Sequence, residues 1–189
     1  MPEECQIQIV KGNIADYEGG AIVVPRFTSY VGGDIADALI KKICDTTHES
    51  IDQIRQHSVF RGNVQPVELY SAWHYKDTKL LPGVDDYITA TCFLLPDQKG
   101  DPFYTRAHRT MINVLKVASE HNIAGLAVPI LMTGEQKGSL DEVLPAMMHV
   151  CCKHGTTDAK PDKITIYTRS DEAHEKALHF HELIRTMYE

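Results

Sequence analysis

The chain has 189 residues, 43% hydrophobic and 24% charged, with a formal net charge of −7. That length suits one α/β unit with a sizeable core, and the composition is that of a soluble globular domain. The acidic balance tells against a general nucleic-acid binder, which shows a basic face, and no apolar run reaches the roughly 20 residues of a membrane helix.

Residues 6–10 alternate polar and apolar and read as a strand. Gly19-Gly20 is a turn, and residues 21–24 form a short apolar run expected of a buried strand. Gly32-Gly33-Asp34 opens a helix with Ile35, Ala36, Leu39, Ile40 and Ile43 on one face, and Asp34 is expected to cap it. Helix continues over residues 50–57. Residues 67–72 and 87–95 are strand-like, with Leu81-Pro82-Gly83 as the turn between them. Residues 96–102 form a polar loop. A helix over 105–121 carries Met111, Val114, Leu115 and Ala118 on its core face.

Residues 125–131 read as a buried strand. Ser139 and Glu142 are spaced as a capping box for the next helix, whose core face is Leu140, Val143, Leu144 and Met147. Residues 155–162 are a polar loop and 163–168 a strand. Ser170 caps a last helix with the stripe Ala173, Ala177, Phe180, Ile184 and Met187. Strands and helices alternate, with no internal repeat and no linker. One domain over residues 1–189 is expected, with a parallel or mixed sheet and helices on both faces. Its ligands would bind at the carboxyl ends of the strands, near the loops after Val24, Leu131 and Thr168.

The segment 133–138, between strand and helix, carries the strongest functional signal. Gly134 and Gly138 can take positive φ and admit a ligand to the backbone, and the helix behind them offers free N–H groups. Either the loop cradles a diphosphate or its glycines only turn the chain. Gly32-Gly33 forms a second glycine-bearing helix start at the same sheet edge. A nucleotide is compatible with the acidic charge, because N–H groups and helix N-termini hold phosphate without lysine.

Cysteine and histidine chemistry reads as packing. Cys151, Cys152 and His154 lack a second ligand pair at metal spacing, so Cys151 is assigned to helix core and no metal or cofactor is expected. His174, His179 and His181 read as surface positions on the last helix. Cys92 lies in an apolar strand, where a thiol is inert, although a pairing with His74 stays open. The five cysteines lack a disulfide framework and the N-terminus lacks a signal pattern. Reduced thiols and a cytoplasmic setting are expected.

Five motifs, in order, resemble the macro domain family, which binds ADP-ribose. They are Val10-Lys11-Gly12-Asn13-Ile14, Ala21-Ile22-Val23-Val24, Gly32-Gly33-Asp34-Ile35-Ala36, Val128-Pro129-Ile130-Leu131-Met132-Thr133-Gly134 and Ile166-Tyr167-Thr168-Arg169. The last is similar to the final strand of alphavirus macro domains. The resemblance implies a three-layer α/β/α sandwich with a mixed central sheet. It also implies a binding site for ADP-ribose or an ADP-ribosylated protein. Asn13 would accept from the adenine amino group where the family has aspartate, and Ile14 would touch adenine. Arg169 would lie on the adenine face. Gly32, Gly33, Asp34 and Ile35 would line the distal phosphate, while Thr133, Gly134, Glu135 and Gln136 would cradle the diphosphate.

The departures gather at one end. The family's Asn-Ala-Ala-Asn falls on Val24-Pro25-Arg26-Phe27, so the asparagine that holds the distal ribose in hydrolytic members becomes Phe27. The aspartate after the glycine loop becomes Ala36, with Asp37 one step off, and the aromatic cover becomes Gln136. Tyr30 is either a substitute lid or an exposed loop residue. Phe27 and Arg26 could form a different floor, with Arg26 reaching a phosphate. Three functions follow: ADP-ribose or related nucleotide binding without efficient hydrolysis, ADP-ribosyl hydrolysis, or a nucleotide-free protein scaffold. A pocket filled by Phe27 and Arg26 would mark the last.

Overall fold

The computed structural model describes residues 5–27, 30–61, 68–94, 100–134 and 136–189, with backbone alone at 77 and 78. In chain order the elements are β1 (Gln6–Lys11), a 3-10 turn (Ile14–Asp16), β2 (Ala21–Phe27), α1 (Asp34–Thr47), α2 (Ile51–Arg55) and β3 (Ala72–Leu81). They continue with β4 (Val84–Phe93), α3 (Phe103–Glu120), β5 (Gly125–Pro129), α4 (Leu140–Gly155), β6 (Lys163–Thr168) and α5 (Asp171–Arg185). The six strands form one mixed sheet in the order β1-β6-β5-β2-β4-β3. All neighbours are parallel except the β3–β4 hairpin.

The sheet is the middle of three layers. The apolar faces of α3, α4 and α5 meet one side, with Met111, Val114, Leu144, Met147 and Ala177 fully buried. The other side is covered by α1, α2 and the 3-10 turn, through Ile14, Leu39, Ile43 and Ile54. Alternation along β2 serves both cores at once: Ala21 and Val23 face the first, Ile22 and Val24 the second. This is the expected α/β/α sandwich with a mixed sheet. Met187 departs from the expected α5 stripe, because the helix ends at Arg185 and the side chain is 69% exposed.

Two strands differ from expectation for reasons that matter to the site. β2 runs three residues past Val24, through Pro25, to Phe27. A proline in a central strand normally removes a ladder bond. Here β2 pairs with β5 only at Ala21 and Ile22, while its pairing with β4 continues to Phe27. Beyond Ile22 the β5 side of β2 is open, so the missing N–H has no partner to disappoint. The second difference is β3, expected over 67–72, which occupies Ala72–Leu81 as an edge strand. Tyr70, just before it, has φ 71°. Val67 lies outside the described residues.

Glycine is required at Gly20, where φ is 62° and an added Cβ would lie 1.9 Å from the Gly125 carbonyl oxygen. That close approach brings the starts of β2 and β5 together, which then part to form a cleft.

Candidate functional site

The chain leaves β2 for α1 on one face of the sheet and leaves β5 for α4 on the other. Diverging connections at adjacent strands open a crevice at their carboxyl ends. The structure has a cavity of about 300 Å³ at that position. Its walls come from the ends of β2 and β4 (Pro25, Phe93), the start of α1 (32–35) and the loop after β5 (Pro129, Ile130, Met132, Thr133, Gly134, Gly138). The start of α4 (Leu140) and the β6–α5 junction (Tyr167, Arg169, Ser170, Ala173) complete them.

Each wall has a local cause. Gly33 is the N-cap of α1, with φ 93° and no side chain capping the first turn. The expected cap, Asp34, is instead the first helical residue, and the N–H groups of this turn are left for water or a ligand. α4 and α5 are served internally: Ser139 accepts from the Asp141 N–H at 3.2 Å and Ser170 from the Ala173 N–H at 3.2 Å. The Ser139 bond stops at Asp141, so the expected reciprocal box with Glu142 is replaced by a simple cap.

In the loop after β5 the left-handed residues are Met132 (φ 61°) and Lys137 (φ 53°), while Gly134 and Gly138 do not take positive φ. The glycines serve in another way. Gly138 closes the loop by donating its N–H to the Met132 carbonyl at 2.8 Å, where an added Cβ would lie 2.8 Å from the same oxygen. Among the described residues nothing lies within 4 Å of a Cβ position at Gly134. Left-handed non-glycine backbone in a ligand loop stores strain that the surrounding packing must hold.

Gln136 supplies that hold. Its Oε1 accepts from the Leu94 N–H at 3.2 Å and from Arg106 Nη2 at 3.0 Å, and its Nε2 donates to the Leu94 carbonyl at 3.1 Å. Arg106 is 4% exposed, lies over the Phe103 ring and also donates to the Cys92 carbonyl at 2.7 Å. Burial pulls its pKa below the ordinary arginine value. Gln136 is therefore a strap on the back of the loop, not an aromatic-type cover at its front.

Of the residues singled out from the sequence, Gly32, Gly33, Asp34, Ile35, Thr133, Gly134 and Arg169 line one cavity. Asn13, Ile14 and Gln136 do not. Asn13 caps the 3-10 turn, accepting from the Ala15 N–H at 3.1 Å, and Ile14 is buried in the core. Glu135 lies outside the described residues. Across the cleft mouth Arg169 Nη1 stands 3.8 Å from Asp34 Oδ2, both side chains being largely exposed. The half-buried Tyr167 is raised above the ordinary tyrosine pKa by burial and then by Asp16.

The positions of Phe27, Arg26, Ala36 and Asp37 are equally plain. Phe27 is 4% exposed, stacked on Tyr30 with centroids 4.4 Å apart and tilted against Phe93 at 4.9 Å. Arg26 does not reach the cavity. It is fully buried 6.0 Å from the Trp73 ring, donating Nε to the Phe27 carbonyl at 3.2 Å. Ala36 is buried in the core, and Asp37 is paired to Arg55 at 2.9 Å. The Cys92–His74 pairing fails as well. Cys92 is fully buried, with its thiol pushed up to about 12 by burial, whereas His74 stacks on His121 and faces Asp86 at 3.3 Å.

Sequence reading missed Tyr167, Leu140 and Ala173. They come from separate elements, and only the sheet order brings them to one wall.

No family model and no curated protein matches the sequence. Solved structures do match by shape. The Oceanobacillus iheyensis macrodomain with ADP superposes with a TM-score of 0.76 at 12% identity, over 99% of this chain and 95% of that one. A Trypanosoma brucei macrodomain in complex with ADP-ribose gives 0.68 at 12% identity, over 90% and 67%. The alphavirus P23pro-zbd gives 0.63 at 20% identity, over 94% of this chain and 23% of that one. With its mixed six-stranded sheet between two helical layers, this chain has the macrodomain fold.

Proposed function

We propose that the chain binds an adenine diphosphate nucleotide, ADP-ribose or a relative of it, in this cleft and does not hydrolyse it efficiently. The observation that carries the reading is the uncapped first turn of α1. Gly33, Asp34 and Ile35 of that turn line a cavity that Thr133 and Gly134 also line. A helix N-terminus opposed by a second backbone wall is a good diphosphate seat, and it needs no net positive charge. The neighbours with ADP and with ADP-ribose named above support the same ligand class.

Adenine would lie at the Arg169 end, between its planar guanidinium and the apolar Ile130, Leu140 and Ala173. Binding would draw Arg169 off Asp34. An ADP-ribosylated protein could present the same group.

Efficient hydrolysis lacks its usual parts. Phe27 and Ala36 offer no polar atom, and Asp37 is tied to Arg55. A pocket filled by Phe27 and Arg26 would favour the nucleotide-free scaffold reading, and the cavity beside Pro25 and Phe93 supports the nucleotide reading instead. Calorimetric titration with ADP and ADP-ribose tests the proposal. Saturable binding of either nucleotide is expected. No heat and no thermal shift from either at millimolar concentration would overturn it, since a ligand at 100 times its dissociation constant stabilises by about 2.7 kcal/mol.

A further inference from the structure

The loop that carries Thr133 and Gly134 to the cleft is held from behind by a residue of another helix. Arg106 lies near the start of α3, and its guanidinium is buried over the Phe103 ring. Its Nη2 donates to the Cys92 carbonyl at 2.7 Å and to Gln136 Oε1 at 3.0 Å. Cys92 immediately precedes Phe93 at the end of β4, and Phe93 lines the cleft. Gln136 also brackets Leu94, accepting from its N–H and donating to its carbonyl. One guanidinium thus joins α3, the end of β4 and the back of the loop after β5.

The front of that loop is tied to its back. Lys137 donates its N–H to the Gly134 carbonyl at 2.9 Å, and Gly138 donates to the Met132 carbonyl at 2.8 Å. Gln136 therefore sits in a turn whose other side, Thr133 and Gly134, lines the cavity. Resting on the nucleotide reading above, we propose that Arg106 is a positioning residue for the nucleotide. Through Gln136 it fixes where the Thr133-Gly134 backbone stands before a ligand arrives. The left-handed Met132 and Lys137 give the loop a reason to relax elsewhere once released. A hydrogen bond from a charged donor is roughly twice as strong as a neutral one, and burial strengthens it further. A loop already held in its binding geometry loses less freedom when the nucleotide seats, so the hold appears as affinity.

The test is calorimetric titration of ADP into the intact chain and its variants, each well below its melting temperature. Arg106→Met and Gln136→Ala should each weaken ADP by about tenfold, the order of one charge-assisted bond. The double variant should lose no more than the weaker-binding single one, because both changes break the same contact. Gln136→Glu keeps the acceptor for Arg106 and should bind ADP more tightly than Gln136→Ala. Ile54→Val is a core change on the other side of the sheet. It lowers stability and should leave ADP affinity at the parent value, which separates positioning from stability. Where Arg106→Met does not fold, the comparison of Gln136→Glu with Gln136→Ala carries the test, since Gln136 is only half-buried. Unchanged affinity in the folded variants, losses that multiply in the double variant, or equal affinity of Gln136→Glu and Gln136→Ala overturns the positioning role and leaves nucleotide binding standing. Failure of the parent chain to bind ADP or ADP-ribose overturns the nucleotide reading and this inference with it.

Discussion

Gly134 and Gln136 stand on opposite sides of one loop and make opposite predictions. Gly134 has free space in front of it and ordinary negative φ, so a side chain there costs the fold little. Gly134→Glu should keep the thermal midpoint of the parent while weakening ADP by roughly 100-fold, because its carboxylate would face a phosphate. Calorimetry beside a melting curve checks both halves, and unchanged affinity would remove the loop from the site. Gln136 touches no ligand wall but satisfies Leu94 on both backbone groups and the buried Arg106. Gln136→Ala should therefore destabilise the protein by about 1–3 kcal/mol, the cost of stranding a buried polar partner. Urea unfolding reads this directly, and a loss too small to measure would show that the strap is dispensable.

Among the elements, α5, like α4, has a start that is both capped and part of the cleft. Ser170→Ala removes the acceptor for the Ala173 N–H and should cost about 1 kcal/mol by urea unfolding. Ala173 and Ser170 both line the cavity, so a smaller loss of ADP affinity should accompany it in calorimetry. The helices were readable because their apolar stripes sit at 3.6-residue spacing, as Met111-Val114-Leu115-Ala118 shows. β6 was readable as a β-branched, alternating segment after a polar loop. β2 was cut short at Val24 because Pro25 is a strand breaker in isolation, and only the parting of β2 from β5 makes it tolerable. β3 was misplaced because an edge strand holding Lys76 and Lys79 has little hydrophobic contrast. The glycine-bearing loops of the site announced themselves locally. Tyr167, Leu140 and Ala173 did not, since nothing in their neighbourhoods records which strand lies beside which. The positive φ of Met132 and Lys137 was also hidden, because a glycine nearby is the better local guess.

At the scale of the whole molecule, two partly buried histidines on the outer helical layer set a pH response. His108 on α3 is held below histidine's ordinary 6.5 by burial first, then by His149 and Lys153. His181 on α5 is lowered by burial and Arg185, against Glu182. A depressed folded value means the unfolded chain takes up protons first. The contribution is complete above about 6.5 and is lost as pH falls through the lowered folded values. The urea midpoint followed by Trp73 fluorescence should thus fall between pH 7.5 and 5.5, and His108→Asn should flatten part of the slope. An identical midpoint at both pH values would refute this.

The sheet order also sets a timetable. Among the described residues β1 has β6 as its only strand neighbour, with Gln6 opposite Lys163 and Lys11 opposite Thr168. During synthesis at about 5–20 residues per second, the first strand made must wait roughly 10–30 s for the partner that completes its ladder. The segment that leads to Asn13 and Ile14 thus leaves the ribosome early and is fixed late. The Arg169 end of the cleft, formed where β6 meets α5, is among the last parts of the molecule to be assembled.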